Sequence, residues 1–338
     1  MEALHKLDST VSFEVFTQVP GWLFEDSLSG PFRYHALLTD IGLAQQTSLA
    51  EDIPETLHRL DDFLPFDSGL LQALATQVSG LGCRLVMCDI APLGIAVARQ
   101  AGLPSVLIEN FTWDWIYATY AHEDARIERH ITYLRGLFRA ADYHIQTEPA
   151  CDRRPADLTT LPVSRRVRTP APTIRRKLGI PKQAPAVLLT MGGVPWQYTF
   201  LEQLERHRAA YFVIPGAGEW ARDTGNLVCL PRRAGFYHPD LVNACDAVIG
   251  KLGYSTLAEA YWAGVPFGFI ERRRFRESPV LAAYVEAQMS GLAISEAQFR
   301  SGEWLSRLPD LLAKPRVRRP GANGAGQIAR FIQNLLEP

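Results

Sequence analysis

Residues 249–279 read IGKLGYSTLAEAYWAGVPFGFIERRRFRESP, and the fold turns on how this stretch is parsed. An apolar, β-rich run ends at Gly250. Lys251, Leu252, Gly253 and Tyr254 then make a tight turn into a helix that begins near Ser255. Gly264-Val265-Pro266 stops that helix, because glycine suits the left-handed C′ position and proline cannot continue the helix. A second apolar run, Pro266 to Ile270, follows. Strand, turn, helix and strand in this order form a βαβ unit, which implies a parallel sheet.

The same alternation extends in both directions. Upstream, strands are expected at Val11 to Val19, Arg84 to Asp89, Pro104 to Glu109 and Asp142 to Thr147, with helical patterns between them. A second series is expected at Ala186 to Met191, Ala210 to Ile214, Asn226 to Leu230, Asp246 to Gly250 and Pro266 to Ile270. The intervening EPACDRRPADLTTLPVSRRVRTPAPTIRR carries five prolines from Pro149 to Pro172 and no period of either kind. It therefore reads as a linker. The expected fold class is α/β, with two Rossmann-like, doubly wound parallel-sheet domains: 1–155, a linker 156–174, and 175–338. A chain of 338 residues has room for two domains of about 150 to 200 residues each. The C-terminal GANGAGQIARFIQNLLE has helical spacing and reads as a final packing helix.

Composition narrows the function classes. Hydrophobic residues at 47% and charged residues at 21% describe a globular chain. A formal charge of −1 gives no general attraction for nucleic acid, so any anion must be recognised locally. The five cysteines form no CxxC or Cys/His metal spacing; no metal and no cofactor are expected, and four of the five read as small core residues of a reducing, cytoplasmic protein. Glu2, Lys6, Asp8 and Glu14 interrupt any apolar leader, so no transmembrane segment is expected, while peripheral membrane contact stays open.

In open α/β sheets ligands bind outside the carboxyl ends of the strands, so the residues just after each strand are the candidates. At the 250–256 turn two readings stand side by side. Free N–H groups and the positive end of the helix dipole suit a diphosphate. Thr256-Leu-Ala-Glu259 also fits a capping box, in which Thr256 caps the helix and Glu259 bonds back to it. Gly192-Gly193 follows the strand of VLLTMGGVPW and offers a second close approach to a ligand. His238 precedes a short helix and is a further candidate on the same side. In the first domain Asp89 ends a strand and is a candidate base or a turn residue. Asn110, Thr112, Trp113, Asp114 and Trp115 form an aromatic and polar loop suited to a sugar or to packing.

GYSTLAEAYWAGVP resembles the donor-site signature of GT-B-fold glycosyltransferases. GKLGYSTLAEA, FRESPVLAAYVE and NFTWDWIY are similar to the glycosyltransferase-like portion joined to plant sugar kinases of the arabinokinase type and, more distantly, to the bacterial enzymes that add N-acetylglucosamine to lipid I. The resemblance implies a nucleotide-sugar partner, with UDP as the expected nucleotide. It implies that Glu259 holds the ribose hydroxyls, that Gly253, Tyr254, Ser255 and Thr256 face the diphosphate, and that Glu277 contacts the sugar. Arg272, Arg273, Arg274 and Arg276 follow the last strand, and one of them, taken as Arg274, is expected to neutralise the leaving group. Metal-independent transfer with inversion is what the likeness implies; a noncatalytic nucleotide-sugar binding or regulatory module and a sugar-nucleotide epimerase on the same fold are the alternatives. The resemblance begins part-way into the family's first domain, with Met1 to Leu7 expected to be the end of its first helix and the first strand and GxGH-type loop not found.

Overall fold

The computed structural model describes residues 1–192, 196–218, 222–231 and 234–337. It divides into two compact units, residues 1–44, 51–163 and 322–338 forming the first and residues 45–50 and 164–321 the second.

In the first unit, β1 (Phe13–Thr17) and β2 (Phe32–Ala36) pair in parallel. The short β3 (Gln45–Thr47) falls within residues 45–50 of the second unit, and β4 (Ala50–Glu51) at the end of that segment; the first unit continues with β5 (Val86–Asp89), β6 (Ser105–Glu109), β7 (Tyr143–Thr147) and β8 (Leu158–Thr160), a parallel sheet in that order. The two pieces share one apolar cluster, in which Phe13 and Val15 meet Val106 and Ile145. Residues 2–7 do form a helix, Glu2–Leu7, whose Leu4 enters the same cluster.

Two features depart from the expected boundaries. The C-terminal helix Gly324–Leu336 belongs to the first unit, because its apolar stripe Ile328, Ala329 and Ile332 is buried with Leu4, Phe13 and Val15. The stretch expected to be linker contains β8, which pairs with β7 through Ile145↔Leu158 and Thr147↔Thr160.

The second unit is built on β9 (Ala186–Thr190), β10 (Tyr211–Gly218), β11 (Arg222–Thr224), β12 (Leu227–Pro231), β13 (Ala247–Lys251), β14 (Phe267–Ile270) and β15 (Gly291–Ala293). The order across the sheet is β11-β12-β10-β9-β13-β14-β15, parallel except for the antiparallel edge strand β11. Along β9, Ala186 and Leu188 enter one core while Val187 and Leu189 enter the other. Both faces are covered, so the strand is continuously apolar rather than alternating. The helix Tyr254–Ala263 ends at Gly264 with φ 69°, the left-handed cap its sequence predicted. Of the five free cysteines, Cys88, Cys229 and Cys245 are buried, while Cys83 and Cys151 are half-buried, one fewer in the core than expected.

Candidate functional site

Strand order in the second unit reverses at β9, which has β10 on one side and β13 on the other. This is the switch point where a doubly wound sheet leaves room outside its carboxyl ends. At that end Gly250 lies opposite Thr190, and a Cβ on Gly250 would stand 1.8 Å from the Thr190 carbonyl oxygen. Only glycine permits this approach. One residue further on, the Lys251 side chain lies over Gly192, where an added Cβ would sit 3.3 Å from its Cε and 3.5 Å from its Nζ. An ammonium is thereby held at the carboxyl ends of the two central strands. Gly193 lies outside the described residues.

The helix Tyr254–Ala263 begins one turn earlier than a Thr256 cap would require. Its N-cap is Gly253, in extended conformation and without a side-chain capping bond, and the first helical bond runs from Leu257 N–H to the Gly253 carbonyl. The capping-box reading is therefore corrected. Thr256 is a buried residue of the first turn, and Glu259 turns to other partners. The first turn, Tyr254-Ser255-Thr256, contains no acidic residue and presents the positive end of the helix dipole.

Glu259 is 5% exposed. Its Oε1 accepts from Arg165 Nη2 at 2.8 Å and Nε at 3.2 Å, and its Oε2 is 2.5 Å from His238 Nδ1. Burial pushes this carboxyl up, but the His238 bond and the charges of His238 and Arg165 outweigh it, and the group stays below the ordinary carboxylate range. A carboxylate offers about four acceptor sites; three are taken here, and the remaining one is directional because the group cannot rotate. His238 opens the helix His238–Ala244. Arg165 is brought in by the arginine-rich segment that follows β8. Arg165 and Arg168 lie over the Tyr237 ring at 5.2 and 4.3 Å, and buried Asp240 accepts from the backbone N–H groups of Arg168 and Thr169 at 2.7 and 3.1 Å. The sequence signal for this contact was the SRRVR cluster, but nothing in it pointed 94 residues ahead to Glu259.

Glu277 is 3% exposed and is the N-cap residue of the helix Ser278–Gln288. Arg272 Nη2 stands 4.0 Å from its Oε2, and the same guanidinium lies 3.3 Å from the centre of the Phe275 ring. Arg274 is exposed. Arg272, from the same ERRRFRE segment, is thus brought to Glu277.

In the first unit, Asp89 ends β5 at an exposed position, and the protein atoms packed around it raise its carboxyl above the ordinary value, against the pull of the Met1 ammonium. Ile90 follows at φ 54°, a left-handed conformation that costs a β-branched residue about 1–2 kcal/mol. Asp40, which the sequence did not single out, lies near enough to feel the charge of Asp89. Burial pushes Asp40 up to about 6, the Trp113 indole pulls the other way, and Asp89 adds to the rise. Trp113 is half-buried and stacks on Tyr117 at 5.7 Å, and Tyr117 donates to the Gly42 carbonyl at 2.5 Å. The polar members of this loop turn inward. Asn110 Nδ2 reaches Cys151 Sγ at 3.9 Å, Thr112 Oγ1 accepts from Arg154 at 3.3 Å, and Asp114 Oδ2 accepts from Arg135 at 3.4 Å. Among the described residues no group of three or more His, Cys, Asp or Glu is placed to hold a metal, and no helix is long and apolar enough to cross a membrane.

This architecture is the GT-B fold of glycosyltransferases. A glycosyltransferase of kitacinnamycin has a TM-score of 0.65 at 16% identity, over 98% of this chain and 94% of that one. No family model matches the chain. L-arabinokinase of Arabidopsis thaliana is 27% identical over 334 residues, 97% of this chain, which spans 32% of that protein's length. An uncharacterised glycosyltransferase of Methanopyrus kandleri is 23% identical over 292 residues, 76% of this chain and 77% of its own. The fold is shared beyond transferases: a UDP-GlcNAc 2-epimerase from Neisseria meningitidis, bound to UDP-GlcNAc, has a TM-score of 0.51 at 14% identity, over 96% of this chain and 99% of that one.

Proposed function

We propose that the chain is a glycosyltransferase that takes its sugar from a UDP-linked donor bound at the carboxyl ends of β9 and β13. The observation that carries this reading is the buried Glu259 carboxylate, ionised and held in one orientation by Arg165 and His238, at the helix whose N-terminus no side chain caps. Its remaining acceptor direction suits a ribose hydroxyl. The N–H groups of Tyr254, Ser255 and Thr256, with the Gly192 turn, suit the diphosphate, whose charge Lys251 and Arg272 would offset without a metal ion. Glu277 suits a hydroxyl of the transferred sugar. Departure of UDP as the acceptor oxygen attacks the anomeric carbon is a direct displacement with inversion, and groups already aimed at the diphosphate lower its barrier without reorganisation. A cytoplasmic setting, where such donors are made and thiols stay reduced, is part of the proposal.

The test is titration with UDP followed by assay of donor turnover. UDP should bind and raise the melting temperature, and a UDP-hexose or UDP-N-acetylhexosamine should be hydrolysed slowly without acceptor. No response to UDP would remove the donor site. UDP binding without hydrolysis or transfer would favour a noncatalytic nucleotide-sugar module, a reading supported by the chain's likeness to only a third of the arabinokinase. Conversion of free donor to its epimer would favour the epimerase reading.

A further inference from the structure

Two arginine-rich segments that the donor site leaves largely unused meet in the second unit. One is RRVRTPAPTIRRKLGIPK, residues 165–182; the other is KPRVRR, residues 314–319. Together they wall a cavity of about 1020 Å³ that also includes Asp246 and Trp262. Lys182 precedes β9, Asp246 precedes β13, and Trp262 lies in the last turn of the helix that leads to β14. The cavity therefore sits at the amino-terminal edge of the sheet, opposite the edge that carries Lys251 and Gly253.

Six cationic residues line this space, namely Arg175, Arg176, Lys182, Arg316, Arg318 and Arg319, and Asp246 is the one acidic lining residue among the described residues. The chain's formal charge is −1, so this concentration is local rather than a share of a general surplus. The cationic groups divide by role. Arg175 donates to the Ala244 carbonyl at 3.0 Å and reaches Asp246 at 3.2 Å; Arg316 donates to the Asn243 carbonyl at 3.2 Å; Arg319 donates to the Tyr261 and Val317 carbonyls, each at 2.8 Å. These three hold the walls. Asp246 also accepts from Ala186 N–H at 2.9 Å, so the single carboxylate serves several donors. Arg176, Lys182 and Arg318 are exposed around the cavity. Burial pushes the Arg316 guanidinium down; Asp246 opposes this, while the like charges of Arg318 and Arg175 add to it. Positive charge is thus gathered in a concave site beyond what its own carboxylate neutralises, with the Trp262 indole in its wall.

We propose that this cavity binds a small metabolite carrying two or more phosphate groups, with its phosphates among Arg176, Lys182 and Arg318 and its ring or base against Trp262. Guanidinium forks match phosphate oxygens in pairs, and an open cleft of this size has room for a nucleotide-sized ligand. A flat basic surface would suit a long polyanion instead; the concavity favours the small molecule. The proposal is independent of the donor-site reading, since none of these residues lies at the carboxyl ends of the strands.

The experiment is calorimetric titration of the full chain, with UDP present in excess, by sodium tripolyphosphate and by ATP. One further equivalent of each should bind, more weakly as salt rises. The double variant Arg176→Ser/Arg318→Ser should lose at least tenfold in affinity for both while its melting temperature and its response to UDP stay as in the parent. Trp262→Leu should weaken ATP but not tripolyphosphate. Absence of binding beyond UDP, or undiminished binding in the double variant, overturns the proposal. Tighter binding of hexaglutamate than of tripolyphosphate overturns it in favour of an acidic protein segment. Loss of the UDP response with tripolyphosphate binding intact would count against the donor site alone.

Discussion

The two units repeat one piece of local structure with opposite charge. In the first, β5 leads to the helix Pro92–Ala101, which ends at Gly102 with φ 68° and passes through Leu103-Pro104 into β6. In the second, β13 leads to the helix Tyr254–Ala263, which ends at Gly264 with φ 69° and passes through Val265-Pro266 into β14. The caps and crossovers match; the turns before the helices do not. One turn carries Asp89, with Asp40 close by, and a strained Ile90. The other carries Lys251 and Gly253, and its helix starts without a side-chain cap. Carboxylates repel a phosphate where an ammonium and the N–H groups of a helix N-terminus attract one. The same backbone unit is thus divided, by a few residues at its first turn, into a face suited to anions and a face suited to hydroxyl groups.

The largest expected effect breaks the shared backbone rather than the difference in charge. Gly250→Ala would place Cβ 1.8 Å from the Thr190 carbonyl oxygen, a backbone atom of the neighbouring central strand. The strands must part, at a cost of about 3 kcal/mol or more. In the first unit Gly94→Ala would meet Cys88 Sγ at 2.7 Å, a side-chain atom that can turn away, and the cost should be about 1 kcal/mol. Denaturant melts of the two variants should differ in that order. Equal losses would mean that the close approach at Gly250 is not a constraint.

The acidic side makes its own prediction in pH. The Asp40 carboxyl ionises near 3.8 in the unfolded chain and near about 6 in the fold. Between those values the folded chain keeps a proton the unfolded chain has lost, so Asp40's contribution is fully present below pH 4 and disappears as pH rises through about 6. At about 1.4 kcal/mol per pH unit this amounts to about 2–3 kcal/mol. Asp40→Asn should remove that part of the slope and stabilise the protein at neutral pH relative to the parent. Parallel profiles for the two proteins would show that Asp40 ionises normally.

Much of the fold was legible because the central strands are buried on both faces and so read as unbroken apolar runs. Gly102-x-Pro104 and Gly264-x-Pro266 gave the helix ends for the same local reason. β3, β4, β8, β11 and β15 were missed because two or three residues are too few to show a period, and β2 was missed because its FRYHA is polar and largely exposed, with no apolar run to mark it. The C-terminal helix was visible as a helix, but the unit it joins is decided by its contact with Leu4 and Phe13, which no local pattern carries. At the site, Glu259 and His238 were each singled out as candidates, but the contact between them and that of Glu259 with Arg165 were not visible. Arg165 and His238 reach Glu259 from other elements, and a glutamate three residues after a threonine looks the same in sequence whether it closes a capping box or faces away from the helix start. Arg272 and Arg274 could not be separated because a loop has no repeat that tells its buried side from its exposed one.

Glu259→Ala and Asp89→Asn test the division directly. The first should weaken UDP binding at least tenfold, and should also lower stability because Arg165 and His238 lose their shared carboxylate. The second should leave UDP affinity unchanged. If both variants bind UDP like the parent, Glu259 is a structural clamp for the arginine-rich segment and not a ribose ligand.

The smallest expected effect is the most specific to the charge difference. Lys251 presents its ammonium over Gly192, so its attraction for a diphosphate is chiefly coulombic and must weaken as salt shortens the screening length from about 10 Å at 0.1 M to about 3 Å at 1 M. Lys251→Met keeps most of the side chain's volume and removes the charge. UDP affinity at low salt should fall about fivefold, equivalent to about 1 kcal/mol, which is the scale of a partly solvated ion pair. The dependence of affinity on salt should flatten in the same variant, while uridine, which lacks the diphosphate, should bind the variant and the parent equally. A uniform loss at every salt concentration, shared by uridine, would mean that Lys251 acts by shaping the Gly192 turn and that the contrast with Asp89 is steric rather than electrostatic.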